Sequence, residues 1–234
     1  GYRYYFVWQM DTFEVIRALQ KLGMSLGEIK EYMENRSPER FMSMIDGKKR
    51  QIDEEIRRLK NMKRFILHEE ESVRLAMNTA LDEPRLVERD REYLLVSDIS
   101  AGSERKAAVE IAEHVRMQEK YNGAVGAVGS IYLGEDLERG IYDRCVKVYT
   151  RLDKKTVSHR VQNRPEGTYV ELYSRGHLWN MEKSYRLITA FAGERGIRLG
   201  KIWYEDLMLD ELTVKAYEQY IVKVMVPVGY KVIN

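Results

Sequence analysis

SPERFMSMIDGKKRQIDEEIRRLKNMKRFILHEEESVRLAMNT, residues Ser37 to Thr79, places Ile45, Ile52, Leu59, Ile66 and Val73 seven positions apart, with Ile56 and Met62 beside that stripe. A seven-residue apolar repeat is helical. The other positions are dense in Lys, Arg, Glu and Asp, so only a narrow apolar seam remains, which is what a helix paired with one partner presents. Ser37, Pro38 and Glu39 supply an N-cap, a proline at the first helical position and an acid in the first turn. At ~1.5 Å per residue the helix runs roughly 60 Å, too long to be covered by one small domain. It is expected to join two domains and, through the Ile45, Ile52, Leu59, Ile66 and Val73 seam, two subunits.

The rest of the composition narrows the classes of function. With 234 residues and 44% hydrophobic content the chain can bury a core and divides into one or two domains. A formal net charge of +2 is no nucleic-acid signature by itself, so any DNA contact must be local. The single cysteine, Cys145, excludes an intramolecular disulfide and fits a reducing, cytoplasmic compartment. His68, His114, His159 and His177 lack ligand spacing, so neither a metal site nor a cofactor is expected. No apolar run reaches the ~18 to 20 residues of a membrane span. The chain opens on GYRYY without a methionine, and further residues are expected upstream.

From the N-terminus, Tyr2 to Val7 reads as an extended aromatic piece and Thr12 to Leu22 as an amphipathic helix ended by Gly23. Ser25 caps a second helix, with Glu28 completing a capping box. GYRYY, the pair of helices around IRALQKLGMSLGEIK and the long helix together resemble the second half of the DNA-binding domain of MerR-type transcription regulators. The resemblance implies that GYRYY is the strand of a wing after a helix-turn-helix whose recognition part is absent here. It also implies that the long helix pairs antiparallel with its copy in a homodimer. On that resemblance Arg3, Tyr4 and Tyr5 match the wing residues that approach phosphates of double-stranded promoter DNA. Lys21 stands beside Gln20, where a relative uses a lysine on phosphate. An arginine fork and phenolic hydroxyls suit that task, which orients the protein without reading sequence.

Residues 81–91 hold Asp82, Pro84 and mixed charges and read as a linker. Beyond it the period changes. Glu92 to Ile99 is expected as a strand, Ser103 to about Tyr121 as a helix, then Ala124 to Leu133 and Arg144 to Leu152 as strands. The same order recurs as Thr168 to Ser174, a helix over about Leu178 to Gly193, Lys201 to Leu209 and Gln219 to Val228, offset by roughly 75 to 77 residues. The expected fold is α+β. A partial winged-helix segment over 1–36 and the dimerisation helix over 37–80 are followed by the linker, then by a duplicated β-α-β-β domain over 92–234 with a cleft where two sheets meet. The second part resembles the GyrI-like effector-binding domain carried by some MerR-type activators of multidrug response.

Strand alternation in WYED puts Trp203 and Glu205 on one face, Tyr204 and Asp206 on the other. Lys223 on the next strand is placed to pair with Asp206, leaving Glu205 without a cation. A buried, unpaired carboxylate is costly unless it is protonated or meets a positive group. A cationic ligand would supply that group; an ion pair with an arginine elsewhere is the structural alternative. The GyrI-like resemblance implies that Glu205 sits at the base of an aromatic pocket, with Trp179 near a position where the family often has tyrosine. Tyr132, Tyr169, Tyr173, Tyr204 and Tyr220 are the candidate walls, since aromatic faces attract cations without demanding one shape. No nucleophile elbow, phosphate loop or Ser/His/Asp order is present, so no catalytic residue is assigned. The expected function is a regulator that senses lipophilic, cationic small molecules and acts indirectly on RNA polymerase. The alternative is a stand-alone GyrI-like binding protein or hydrolase, with Glu171 or Glu205 as general base.

Overall fold

The computed structural model describes residues 6–100, 103–121, 128–153, 155–176 and 181–229. Arg3, Tyr4, Tyr5 and Trp179 lie outside them. The chain forms two units, Gly1–Lys60 and Asn61–Asn234.

In the first unit α1 (Val7–Lys21) starts earlier than the Thr12 expected, because neither proline nor glycine interrupts VWQMD. Gly23, at φ +75°, turns the chain into α2 (Leu26–Glu34), whose capping box is present as expected. Ser25 Oγ accepts from the Glu28 amide at 3.3 Å, and Glu28 Oε2 accepts from the Ser25 amide at 2.7 Å. Leu19, Met24 and Ile29 are buried between these helices, with Ile16, Tyr32 and Met44 packed around them. The long helix α3 (Pro38–Asn78) is one continuous element of 41 residues, started by Ser37 Oγ accepting from the Arg40 amide at 3.2 Å. Of its seam, Ile52, Leu59 and Ile66 are exposed, together with Ile56 and Met62.

The second unit is built on one eight-stranded antiparallel sheet, in the order β1-β6-β8-β7-β3-β4-β2-β5. Its strands are β1 (Arg85–Arg89), β2 (Glu92–Asp98), β3 (Gly129–Leu133), β4 (Lys147–Leu152), β5 (Val161–Arg164), β6 (Gly167–Arg175), β7 (Ile202–Leu209) and β8 (Ile221–Pro227). The helices α4 (Glu104–Gln118), α5 (Gly134–Glu138) and α6 (Glu182–Glu194) complete it. The duplication is visible in the sheet: β2, β4 and β3 on one side mirror β6, β8 and β7 on the other, and the halves meet where β3 pairs with β7.

That direct pairing corrects the expectation of two sheets with a cleft between them. A second correction concerns residues 81–91. They contain β1, which pairs with β6 from Arg85↔Glu171 to Arg89↔Gly167. The strand looked like a linker because Arg85 and Arg89 alternate with Val87, and both arginines grip the buried Glu171 carboxylate. β5 is hidden in the same way. Its Arg164, 2% exposed, binds Glu92. Each half thus lends its first strand to the other half's edge, β1 to β6 and β5 to β2.

The sheet has two unlike faces. Towards α6 lie Val170, Leu172, Val222, Val224, Val226, Tyr132 and Trp203, packed on Met181, Tyr185 and Ile188. The opposite face carries Leu94, Val96, Ile131, Tyr149, Tyr169, Tyr204 and Met225, and there the end of α3 docks Ala76 against Tyr173, Met208 and Ile221.

Candidate functional site

Glu205 occupies the middle of the sheet, opposite Ser130 on β3 and Val224 on β8, and its side faces α6. It has no exposed surface. Tyr185 of α6 donates its hydroxyl to Glu205 Oε1, while Oε2 makes no hydrogen bond among the described residues. The ring of Tyr185 stands edge-on to Trp203 at 5.6 Å, stacks on Tyr142 at 5.7 Å and tilts against Tyr132 at 6.1 Å. Burial pushes the Glu205 pKa up to about 7, against the opposing pull of the Tyr185 and Tyr132 hydroxyls. Burial together with the Glu205 charge keeps both tyrosines as phenols.

The other buried acids are paired. Asp206 has Lys223 Nζ at 2.7 Å from Oδ2, the pairing expected from alternation, although that contact lies off the hydrogen-bonding direction. Tyr149 donates to Asp206 Oδ1 at 2.6 Å. Burial works against the Asp206 carboxylate, yet Lys223, Arg151 and Arg164 hold its pKa far below the ordinary value. Glu171 is held by Arg85 at 2.8 Å and by Arg89, and Asp136 faces Arg144 at 3.5 Å. Among the described residues no cation reaches Glu205.

Two cavities border the residues around this acid. One, of about 860 Å³, is lined in part by Tyr142, Tyr185, Trp203 and Leu137. The other, of about 450 Å³, is lined in part by Ser130, Tyr132, Cys145 and Ile111. Glu205 lines neither; the rings stand between it and both spaces. An apolar aromatic cation that displaced them would exchange ring contacts for its own and place its charge on Oε2.

The expected wall residues separate by face. Tyr132 lies with Glu205, whereas Tyr204, Tyr169 and Tyr173 lie on the opposite face, because β6 and β7 put them in register with Met225, Pro227 and Lys223. Arg164 covers the Tyr204 ring at 5.2 Å. Tyr220 packs edge-on against Tyr217 at 5.2 Å, just before β8. Lys21 ends α1, exposed. Sequence reasoning missed Tyr185 and Tyr142: Tyr185 falls at helical spacing with Ile188 and Ala192, indistinguishable from core, and Tyr142 lies outside any regular element.

A Ser-His contact elsewhere is no nucleophile dyad. Ser97 Oγ is 2.8 Å from His114 Nδ1, and His114 Nε2 is 3.0 Å from Thr150 Oγ1. Gln118 donates to Thr150 Oγ1, so both imidazole nitrogens stand against hydroxyls that can donate or accept. Burial pushes the His114 pKa down to about 4, favouring the neutral ring.

Residues 10–68 match the family described as MerR, DNA binding, and these are α1, α2 and most of α3. That segment carries the likeness to MerR-type DNA-binding domains. The multidrug-efflux transporter 2 regulator of Bacillus subtilis (strain 168) is 29% identical over 231 residues, covering 97% of this chain and 84% of that protein. Among solved structures, the EcmrR–DNA complex in EcmrR-RPo is 15% identical, with TM-score 0.46, over 99% of this chain and 87% of that one. SAV2435 bound to tetraphenylphosphonium is 13% identical, with TM-score 0.39, over 63% of this chain and 94% of that one. A hydrolase from Listeria innocua is 13% identical, with TM-score 0.44, over 65% and 95%. No helix among the described residues is long and apolar enough to cross a membrane.

Proposed function

We propose that this chain is a ligand-responsive transcription regulator in which a lipophilic cation binds over Glu205. The observation that carries the ligand class is the contrast among buried acids: Asp206, Glu171 and Asp136 each face a cation, and among the described residues Glu205 has only aromatic rings and the hydroxyls of Tyr185 and Tyr132. The relative named as regulator of a multidrug-efflux transporter fits a site that selects charge and aromatic contact rather than one shape. Tyr132, Tyr185, Tyr142 and Trp203 form the walls in this reading.

The DNA side rests on the MerR segment. Arg3, Tyr4, Tyr5 and Lys21 donate to phosphates of promoter DNA, and the exposed α3 seam pairs with a second copy, giving two half-sites. RNA polymerase is affected through the DNA, and the protein works in the cytoplasm, where bacterial promoters are. Domain limits at 36 and 80 separate the DNA-side helices, the dimer helix and the effector domain. In this reading Glu205 acts by binding its ligand's charge and not as a catalytic base.

Tetraphenylphosphonium and neutral triphenylphosphine oxide test this directly. Glu205→Gln should weaken the cation about 10-fold or more, as loss of a buried charge partner does, and leave the neutral compound nearly unchanged. Equal loss for both would remove Glu205 from the role. For the dimer, Ile52→Asp with Leu59→Asp should give monomers by light scattering; a surviving dimer would place the subunit contact elsewhere.

A further inference from the structure

Behind Glu205, on the opposite face of β7, the polar groups that hold Asp206 continue without a break to α3. Tyr149 donates to Asp206 Oδ1 at 2.6 Å and accepts from Arg164 Nη1 at 3.4 Å. Arg164 binds Glu92 through Nε at 2.6 Å, Arg151 Nη1 reaches the other Glu92 oxygen at 3.5 Å, and Arg151 Nη2 stands 2.6 Å from His68 Nε2 on α3. Since arginine only donates, His68 Nε2 accepts there, and its Nδ1 lies 3.5 Å from Glu69 Oε1. Two residues past Arg151, Asp153 binds Arg64. Arg64 and His68 are four apart, hence on one helix face, so the end of β4 grips α3 at two successive turns. Ser72 and Ala76 are buried farther along.

We propose that this polar chain reports occupancy of the Glu205 site to the long helix, with Arg151 as the positioning residue that joins sheet to helix. The inference rests on the reading of Glu205 as a cation site. Glu205 and Asp206 share a peptide unit, and the Asp206 charge acts on the Glu205 carboxyl. A cation settling on Glu205 changes the field at Asp206 and fixes the strand both occupy. Every link beyond Asp206 has at least one ionised partner, which strengthens and orients it relative to a neutral bond. α3 runs unbroken from Pro38 to Asn78, so what moves its 61–78 portion is carried in the element that also belongs to the MerR segment.

Hydrogen exchange on the full chain tests this. Saturating tetraphenylphosphonium should slow exchange of the amides over 64–76 by about 5-fold, the low end of allosteric couplings. In Arg151→Met the compound should bind within about threefold of wild-type affinity, yet leave those amides unchanged, because the site is intact and the joint is cut. Tyr149→Phe, which removes the hydroxyl bond to Asp206 while keeping the ring, should give the same loss and serves if Arg151→Met fails to fold. An undiminished response in both variants, or wild-type binding with no response in α3, overturns the inference alone. Wild-type protein that does not bind the cation, or Glu205→Gln protein that binds it equally well, overturns the site reading and the inference with it.

Discussion

Glu205 and Asp206 are adjacent on one strand and both are buried, yet the two faces of the sheet treat them oppositely. Asp206 meets Lys223, Tyr149 and the fields of Arg151 and Arg164, and stays ionised well below the ordinary carboxylate range. Glu205 meets hydrocarbon, rings and the phenols of Tyr185 and Tyr132, and its pKa rises to about 7. The difference teaches that burial alone does not mark a site. What marks it is an acid whose charge the protein leaves uncompensated, on the face where cavities approach.

The largest expected effect comes from making the faces alike. Lys223→Met leaves Asp206 without its closest cation, and losing one partner of a buried pair costs about 3 to 5 kcal/mol; urea unfolding at pH 7 measures it, and a loss below about 1 kcal/mol would mean Arg151 and Arg164 suffice.

Glu205→Gln should move stability the other way. A folded pKa raised from 4.5 to about 7 makes a contribution that is fully present below pH 4.5 and lost as pH rises to 7, since the unfolded chain ionises first. Wild type therefore forfeits roughly 3 kcal/mol over that window that the glutamine variant keeps. Thermal melts at pH 4.5 and pH 8 should show near-equal proteins at the lower pH and a more stable variant at the higher. A variant less stable at pH 8 would mean that Glu205 is already compensated.

A smaller effect sharpens the Asp206 side. Gly129 lies opposite Tyr149 across β3 and β4, and a Cβ there would overlap the Tyr149 ring. Gly129→Ala should cost about 1 to 3 kcal/mol, as overpacking does, by moving the hydroxyl off Asp206. Denaturant unfolding reads it, and no change would show that the ring shifts freely.

Much of this was written in local pattern. The seven-residue spacing from Ile45 to Val73 gives the long helix, Ser25 with Glu28 its predecessor, and alternation in WYED separates Glu205 from Asp206 and pairs the latter with Lys223. What stayed hidden depends on partners distant in the chain. β1 and β5 are edge strands on which Arg85, Arg89 and Arg164 meet the buried Glu171 and the half-buried Glu92, so they lack the apolar alternation that announces a strand. Register across β6, β8 and β7 decides which tyrosines share a face with Glu205. It puts Tyr169 and Tyr173 behind the sheet, and only α6 packing brings Tyr185 to the carboxyl.

The most direct measurement is the proton released when tetraphenylphosphonium binds, obtained by calorimetry in two buffers of different ionisation enthalpy. With Glu205 near pKa 7, binding at pH 6 should release about nine-tenths of a proton, at pH 8.5 almost none, and in Glu205→Gln none at either pH. Tight binding at pH 6 with no proton released would contradict an acid held neutral until a cation arrives.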